Sequence, residues 1–189
     1  MYFDSHAHLT EDCFAQDFDS IVENMKEASV TGMMEIGFDL PSSEKAVRLA
    51  ERFSWVHAAV GSHPDDAAQV DEARIAVYRE LCKIPRVKAI GEIGLDYHYD
   101  FCPREIQLTA FERQLQLARE LDLPVIIHSR EAANDTLELL KKYRSCLNAA
   151  PRLPEVLARE MGDQLYIASF EDEAAMQAFR RDALARPRE

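Results

Sequence analysis

The chain has 189 residues, 47% hydrophobic and 30% charged, with a formal net charge of −12. That suits one globular domain with enough apolar side chains to fill a core. The acidity excludes long-range attraction to nucleic acid or anionic lipid, so any phosphate-bearing partner must be recruited locally, by bound cations and a few basic side chains.

The first residues, Met1-Tyr2-Phe3-Asp4, carry neither a basic stretch nor an apolar one, so no secretion signal is expected. No apolar run approaches a membrane span, and no membrane partner is expected. β-like runs follow at Met1–Asp4, Gly32–Ile36, Val56–Val60, Val87–Gly91 and Pro124–His128. Helical stretches lie between and after them, near Ser20–Ser29, Ser43–Phe53, Asp71–Lys83, Arg104–Leu121 and Ala132–Lys142. In Arg104–Leu121 the apolar Leu108, Phe111, Leu115 and Ala118 recur every three or four residues, which is one helical face. Pro103 stands at its entry, and Pro124 ends the following turn. Val125-Ile126-Ile127 is apolar without alternation, as in a parallel strand covered on both sides.

This repeated alternation predicts an α/β fold with a parallel sheet or barrel. At roughly 30 residues per unit, a closed eight-unit barrel needs about 240 residues. Five units are complete by Arg144, so the barrel is expected to be truncated or incomplete. Residues 1–144 form the expected barrel portion and 145–189 a divergent, mostly helical segment. From Ser145 onward every basic residue is Arg. Pro154–Met161 and Asp172–Ala185 read as helices and Leu165–Ser169 as a short strand. That segment is either an ordinary surface tail or a replacement for the rest of the barrel. The cysteines Cys13, Cys82, Cys102 and Cys146 form no C-x-x-C pair, which suits reduced thiols and a cytoplasmic location.

Four features carry chemistry. In Asp4-Ser5-His6-Ala7-His8, the two histidines share one face if the strand reaches His8. Imidazole is a common ligand of first-row metals, although two solvated histidines would look the same. Glu92 follows an apolar strand between Gly91 and Gly94. His63, in Gly61-Ser62-His63-Pro64, lies just past another strand. His128 ends a third, with Arg130 two residues on. Singly, each is as well explained by a solvated loop mouth or a hydrogen-bonded structural residue. Together they fall at the carboxyl ends of predicted strands, the face on which (β/α) barrels carry their active sites.

These residues resemble the TatD family of metal-dependent deoxyribonucleases. The likeness runs from Met1 to about Lys142. It takes in Phe3-Asp4-Ser5-His6-Ala7-His8-Leu9, Gly61-Ser62-His63-Pro64 and Gly91-Glu92-Ile93-Gly94-Leu95-Asp96-Tyr97. It continues through Gln107, Phe111 and Gln114-Leu115 to Leu123-Pro124-Val125-Ile126-Ile127-His128-Ser129-Arg130-Glu131-Ala132. The resemblance implies a TIM-like, amidohydrolase-like barrel binding two divalent cations. His6 and His8 would hold the first, Glu92 would bridge both, and His128 would hold the second. His63 and Asp96 match catalytic-pocket positions, and His63 and Arg130 match substrate contacts. Mixed His and carboxylate ligands suit Zn, Mn, Ni or Co, and Mg less well.

Two further ligands that the resemblance implies have no counterpart. These are a histidine in an H-C-F-S-G-like motif and an aspartate in a T-D-x-P-like motif, and no histidine follows His128. The expected function is hydrolysis of DNA phosphodiester bonds, exonucleolytic on single strands, with no stable protein partner. The rivals are a hydrolase of small-molecule amides or esters and a catalytically impaired relative. A non-enzymatic single-strand binder is disfavoured, because the sequence displays no aromatic-basic stripe.

Overall fold

In a computed structural model, residues 2–99 and 101–143 are described. They form five parallel strands in the order β1 (Tyr2–Ala7), β2 (Val30–Ile36), β3 (Val56–Val60), β4 (Val87–Asp96) and β5 (Val125–Arg130). Each strand is followed by a helix: α1 (Phe18–Glu27), α2 (Leu40–Arg52), α3 (Glu72–Leu81), α4 (Arg104–Leu121) and α5 (Ala133–Lys142). Among the described residues the strands curl as half of a (β/α) barrel, the fold class expected. The readings made for 145–189 lie outside the described residues.

The helix boundaries have local causes. At α2 the Asp39 carboxylate accepts from the Ser42 amide at 2.7 Å, and the Ser42 hydroxyl accepts from the Asp39 amide at 2.9 Å, a reciprocal cap. At α3 the Asp71 side chain accepts from the Arg74 amide. Helix α4 has the predicted bounds and stops at Asp122, whose left-handed φ of 54° turns the chain toward β5.

The sheet's two faces differ. Strand residues, among them Met33, Val56, Ala58, Ile90, Ile93 and Ile127, share one core with Val47, Tyr78, Phe111 and Leu115 of the helices. Phe111 is wholly buried, so Phe111→Ala would cost about 3–5 kcal/mol. Met34, Ile36, Ala59 and Ala89 form a separate, smaller cluster with Phe3 and Ile126.

Three strands run further than expected. β1 ends at Ala7, beyond Asp4, with His8 as the next residue. β4 continues past Gly91 to Asp96, and β5 past His128 to Arg130. Glu92 and His128 therefore lie inside strands, not at their ends. Gly91 and Gly94, on either side of Glu92, serve close backbone approach. Gly94, with φ of +148°, pairs in register with His128, and a Cβ there would meet the His128 carbonyl oxygen at 1.9 Å. It is the close approach of two strands that needs glycine, not a loop. The short 3-10 helices Asp12–Phe14 and Pro64–Gln69 were also not anticipated.

Candidate metal centre

The β1 side of the site starts from an irregularity. Asp4 pairs with Met33 and Ala7 with Glu35, so β1 uses one more residue than β2 between the two points. Such a bulge re-aims side chains beside a site. His6 Nε2 and His8 Nε2 meet at 3.1 Å and approach Glu92 Oε2 at 3.4 and 3.9 Å. His8 Nδ1 donates to the Ile36 carbonyl at 3.0 Å. A carbonyl only accepts, so the neutral His8 ring has its lone pair on Nε2, aimed at Glu92 and His6. The chain just past His8 is held by buried Glu35 of β2. That carboxylate accepts from the amides of Leu9 and Thr10 at 2.9 and 2.8 Å and from the Thr10 hydroxyl at 2.7 Å. Burial pushes the Glu35 carboxyl above its ordinary pKa, against the pull of these three donors.

The other side comes from three strands. His128 Nδ1 lies 3.4 Å from Glu92 Oε1, and its Nε2 donates to Asp96 Oδ2 at 2.9 Å. The His63 ring meets the His128 ring edge-on, with centroids 4.2 Å apart. Asp96 is itself held by the amides of His98 and Tyr99, which donate to Oδ1 at 2.8 and 3.1 Å. Two buried glutamines of α4 clamp the backbone beneath. Gln114 accepts from the Ser62 amide and donates to the Ser62 carbonyl, at 2.8 and 3.0 Å. Gln107 accepts from the Asp96 amide and donates to the carbonyls of Asp96 and Cys102, each at 2.8 Å.

The electrostatics favour a charged Glu92. Burial works against its ionisation, but His128 and His6 outweigh that and hold its carboxyl well below the usual carboxylate range. His128 shows the reverse balance: burial opposes its charge, yet Glu92 and Asp96 raise its pKa. His63 is driven down, first by burial and then by neighbouring His128.

These donors fit divalent cations. Ligand atoms of His6, His8 and Glu92 lie within 4.8 Å of one another, and so do those of His63, Glu92 and His128. Among the described residues the buried Nδ1 of His128 has no hydrogen-bond partner although a carboxylate oxygen is 3.4 Å away, a position that a positive ion can bridge. The structure thus brings together His6, His8, His63, Glu92, Asp96 and His128. Arg130, at the end of β5, is set apart: its guanidinium lies over the Tyr99 ring, 4.6 Å from the centroid. The sequence reading missed Glu35 altogether and gave no role to Gln107 and Gln114. A buried carboxylate within an otherwise apolar strand was the one available signal for Glu35.

Residues 3–151 match the model of the TatD related DNase family. The metal-dependent hydrolase YabD of Bacillus subtilis is 40% identical over 142 residues, covering 75% of this chain and 56% of that protein. The 3'-5' ssDNA/RNA exonuclease TatD of Erwinia amylovora is 38% identical over 149 residues, covering 78% of this chain and 58% of its own length. Among solved structures, the Escherichia coli TatD homologue YjjV superposes with a TM-score of 0.70 at 28% identity, covering 75% of this chain and 56% of that one. The chain spans about half the length of the curated relatives it matches.

Proposed function

This chain belongs to the TatD related DNase family, and on that footing we propose that it is a metal-dependent hydrolase of DNA phosphodiester bonds, acting on single strands. The observation that carries the proposal is the placement of Glu92, whose two carboxylate oxygens face separate histidine groups, Oε2 toward His6 and His8 and Oε1 toward His128. His6, His8 and Glu92 would hold one cation, and His128 and Glu92 a second. Cations so held supply Lewis acidity toward a phosphoryl oxygen and lower the pKa of bound water.

The remaining roles belong to side chains. Asp96 fixes the His128 ring through Nε2 and would keep its other nitrogen directed at Glu92. His63, with its pKa driven down, would be neutral at pH 7 and able to accept a proton at the pocket wall. Arg130 would pair with a substrate phosphate through its planar fork. Local positive charge of this kind is what an acidic chain needs to hold a polyanion.

The test is metal content per chain measured together with nucleotide release from single-stranded DNA, set against panels of amides and carboxylic esters. Nucleotide release that depends on added cation supports the reading. Amide or ester turnover without nucleotide release overturns it in favour of a small-molecule hydrolase. Among described residues, no helix is long and apolar enough to cross a membrane.

A further inference from the structure

We propose that Tyr99 and Phe101, with Arg130 against them, form a stacking subsite for an unpaired nucleobase of a single-stranded nucleic acid beside the metal centre. The inference rests on the nuclease reading and names how its substrate is gripped.

Both rings are out of place as packing residues. Tyr99 is 51% and Phe101 69% exposed. Neither joins the apolar core, although their neighbours Tyr97 and Cys102 do. They nevertheless have a defined geometry: the ring centroids are 5.5 Å apart and the planes are 10° from parallel. Arg130 lies 4.6 Å from the Tyr99 centroid, and His98 meets that ring edge-on at 4.7 Å. The result is a stacked aromatic pair with a guanidinium over the Tyr99 ring and Phe101 open to solvent. Single-strand binders use that combination, because every base has a π-face and Arg adds a cation–π contribution.

The surface is also held in place. Asp96 accepts the amides of His98 and Tyr99. His98 Nδ1 lies 2.8 Å from Glu131. The Tyr97 hydroxyl donates to Asp135 at 2.6 Å, and Arg104 covers the Tyr97 ring at 4.1 Å. Rings held in this way lose little freedom on binding.

Position specifies the ligand. Arg130 pairs in register with Asp96 and stands two residues past His128 on the same strand. The aromatic pair and the metal centre are therefore joined through Asp96, whose other oxygen accepts a hydrogen bond from His128 Nε2. A strand whose phosphate lay at the metal centre would have a neighbouring base in reach of the platform. Duplex bases are already stacked on each other, so the platform selects single strands. It also supplies affinity that does not depend on the unfavourable overall charge of −12.

The test compares binding of a fluorescent nine-residue oligothymidylate with that of its abasic analogue, at low salt in EDTA, using the full chain. The expected preference for the base-bearing strand lies between about 5- and 150-fold, the range that alanine substitution at stacking side chains produces. The double variant Tyr99→Ala, Phe101→Ala is expected to bring that ratio close to one while thermal unfolding stays unchanged, and Phe101→Trp to retain it. Equal affinity for the two strands, no binding of either, or a ratio unaffected by the double variant overturns the proposal. Nucleotide release with added cation, assayed on the same preparation, is a separate readout. Its absence with the ratio intact would remove the nuclease reading and leave the stacking subsite standing.

Discussion

The two sides of the metal centre are built differently. On the β1 side, His6 and His8 come two residues apart on a bulged strand end, and the His8 side chain is 27% exposed. On the other side, His63, Glu92 and His128 arrive from or just after three strands, and the side chains of Glu92 and His128 are only 5% and 8% exposed. The first is a local device that a short stretch of sequence nearly specifies. The second exists only once β3, β4 and β5 have paired, so its energetics are tied to the fold. Perturbing the first is expected to affect metal binding, and perturbing the second to affect metal binding and stability together.

The largest effect is expected where the two sides meet. Glu92→Gln keeps the shape of the residue and removes the charge that both histidine groups face. Metal content should fall at both positions, and any cation-dependent nucleotide release should drop roughly 100-fold or more, at or above the upper end for loss of second-shell support. Were the variant to retain one cation at unchanged affinity, the shared role of Glu92 would be wrong and the two sides would be separate sites.

The next experiment separates the sides. His128 stands between Glu92 and Asp96, so His128→Ala leaves two buried carboxylates facing each other. Breaking a buried pair in this way costs about 3–5 kcal/mol. His8→Ala removes its contacts with the Ile36 carbonyl and with His6 Nε2 at a partly exposed position, and a net loss of about 1–2 kcal/mol is expected. Urea unfolding of both variants in EDTA at neutral pH measures the difference. Equal losses would show that the two sides are equally bound to the fold.

This contrast explains what the sequence disclosed. The H-x-H spacing carries its own geometry, and the β/α alternation located the five strands and five α-helices of the described residues, with α4 at its observed bounds. The extents of β4 and β5 were hidden because the pairing of Gly94, Leu95 and Asp96 with His128, Ser129 and Arg130 exists only once the two strands meet. Gly94 is required by the His128 carbonyl, a contact across 34 positions of chain. The clamps were hidden for the same reason. Gln107 and Gln114 sit on an amphipathic helix where a buried amide looks like any surface glutamine. Only the backbone groups of Asp96, Cys102 and Ser62 give them a function.

The smallest direct effects on metal binding are expected at those clamps, which touch backbone and not the candidate ligands, and they sharpen the comparison most. Gln107→Leu keeps the buried volume but leaves the Asp96 amide and two carbonyls without their partner, a cost of about 1–3 kcal/mol for each group left unsatisfied. Some of that cost will be relieved by loosening of the β4–α4 connection, and a thiol there reports on it. Cys102 is buried, and burial raises its pKa, so alkylation in the parent chain should be slow. In Gln107→Leu it should be much faster. Cys13, which is exposed, should react quickly in both proteins, and Cys82, whose thiol burial pushes up to about 12, slowly in both. Glu35→Gln is the matching change on the β1 side. It keeps an oxygen to accept from the Leu9 or Thr10 amide, and should weaken binding at His6 and His8 while leaving the Cys102 rate unchanged. Peptide mapping of the alkylated thiols separates the sites. If Cys102 stays protected in Gln107→Leu, the loop is held by its aromatic and Asp96 contacts alone, and Gln107 does not position the second side of the centre.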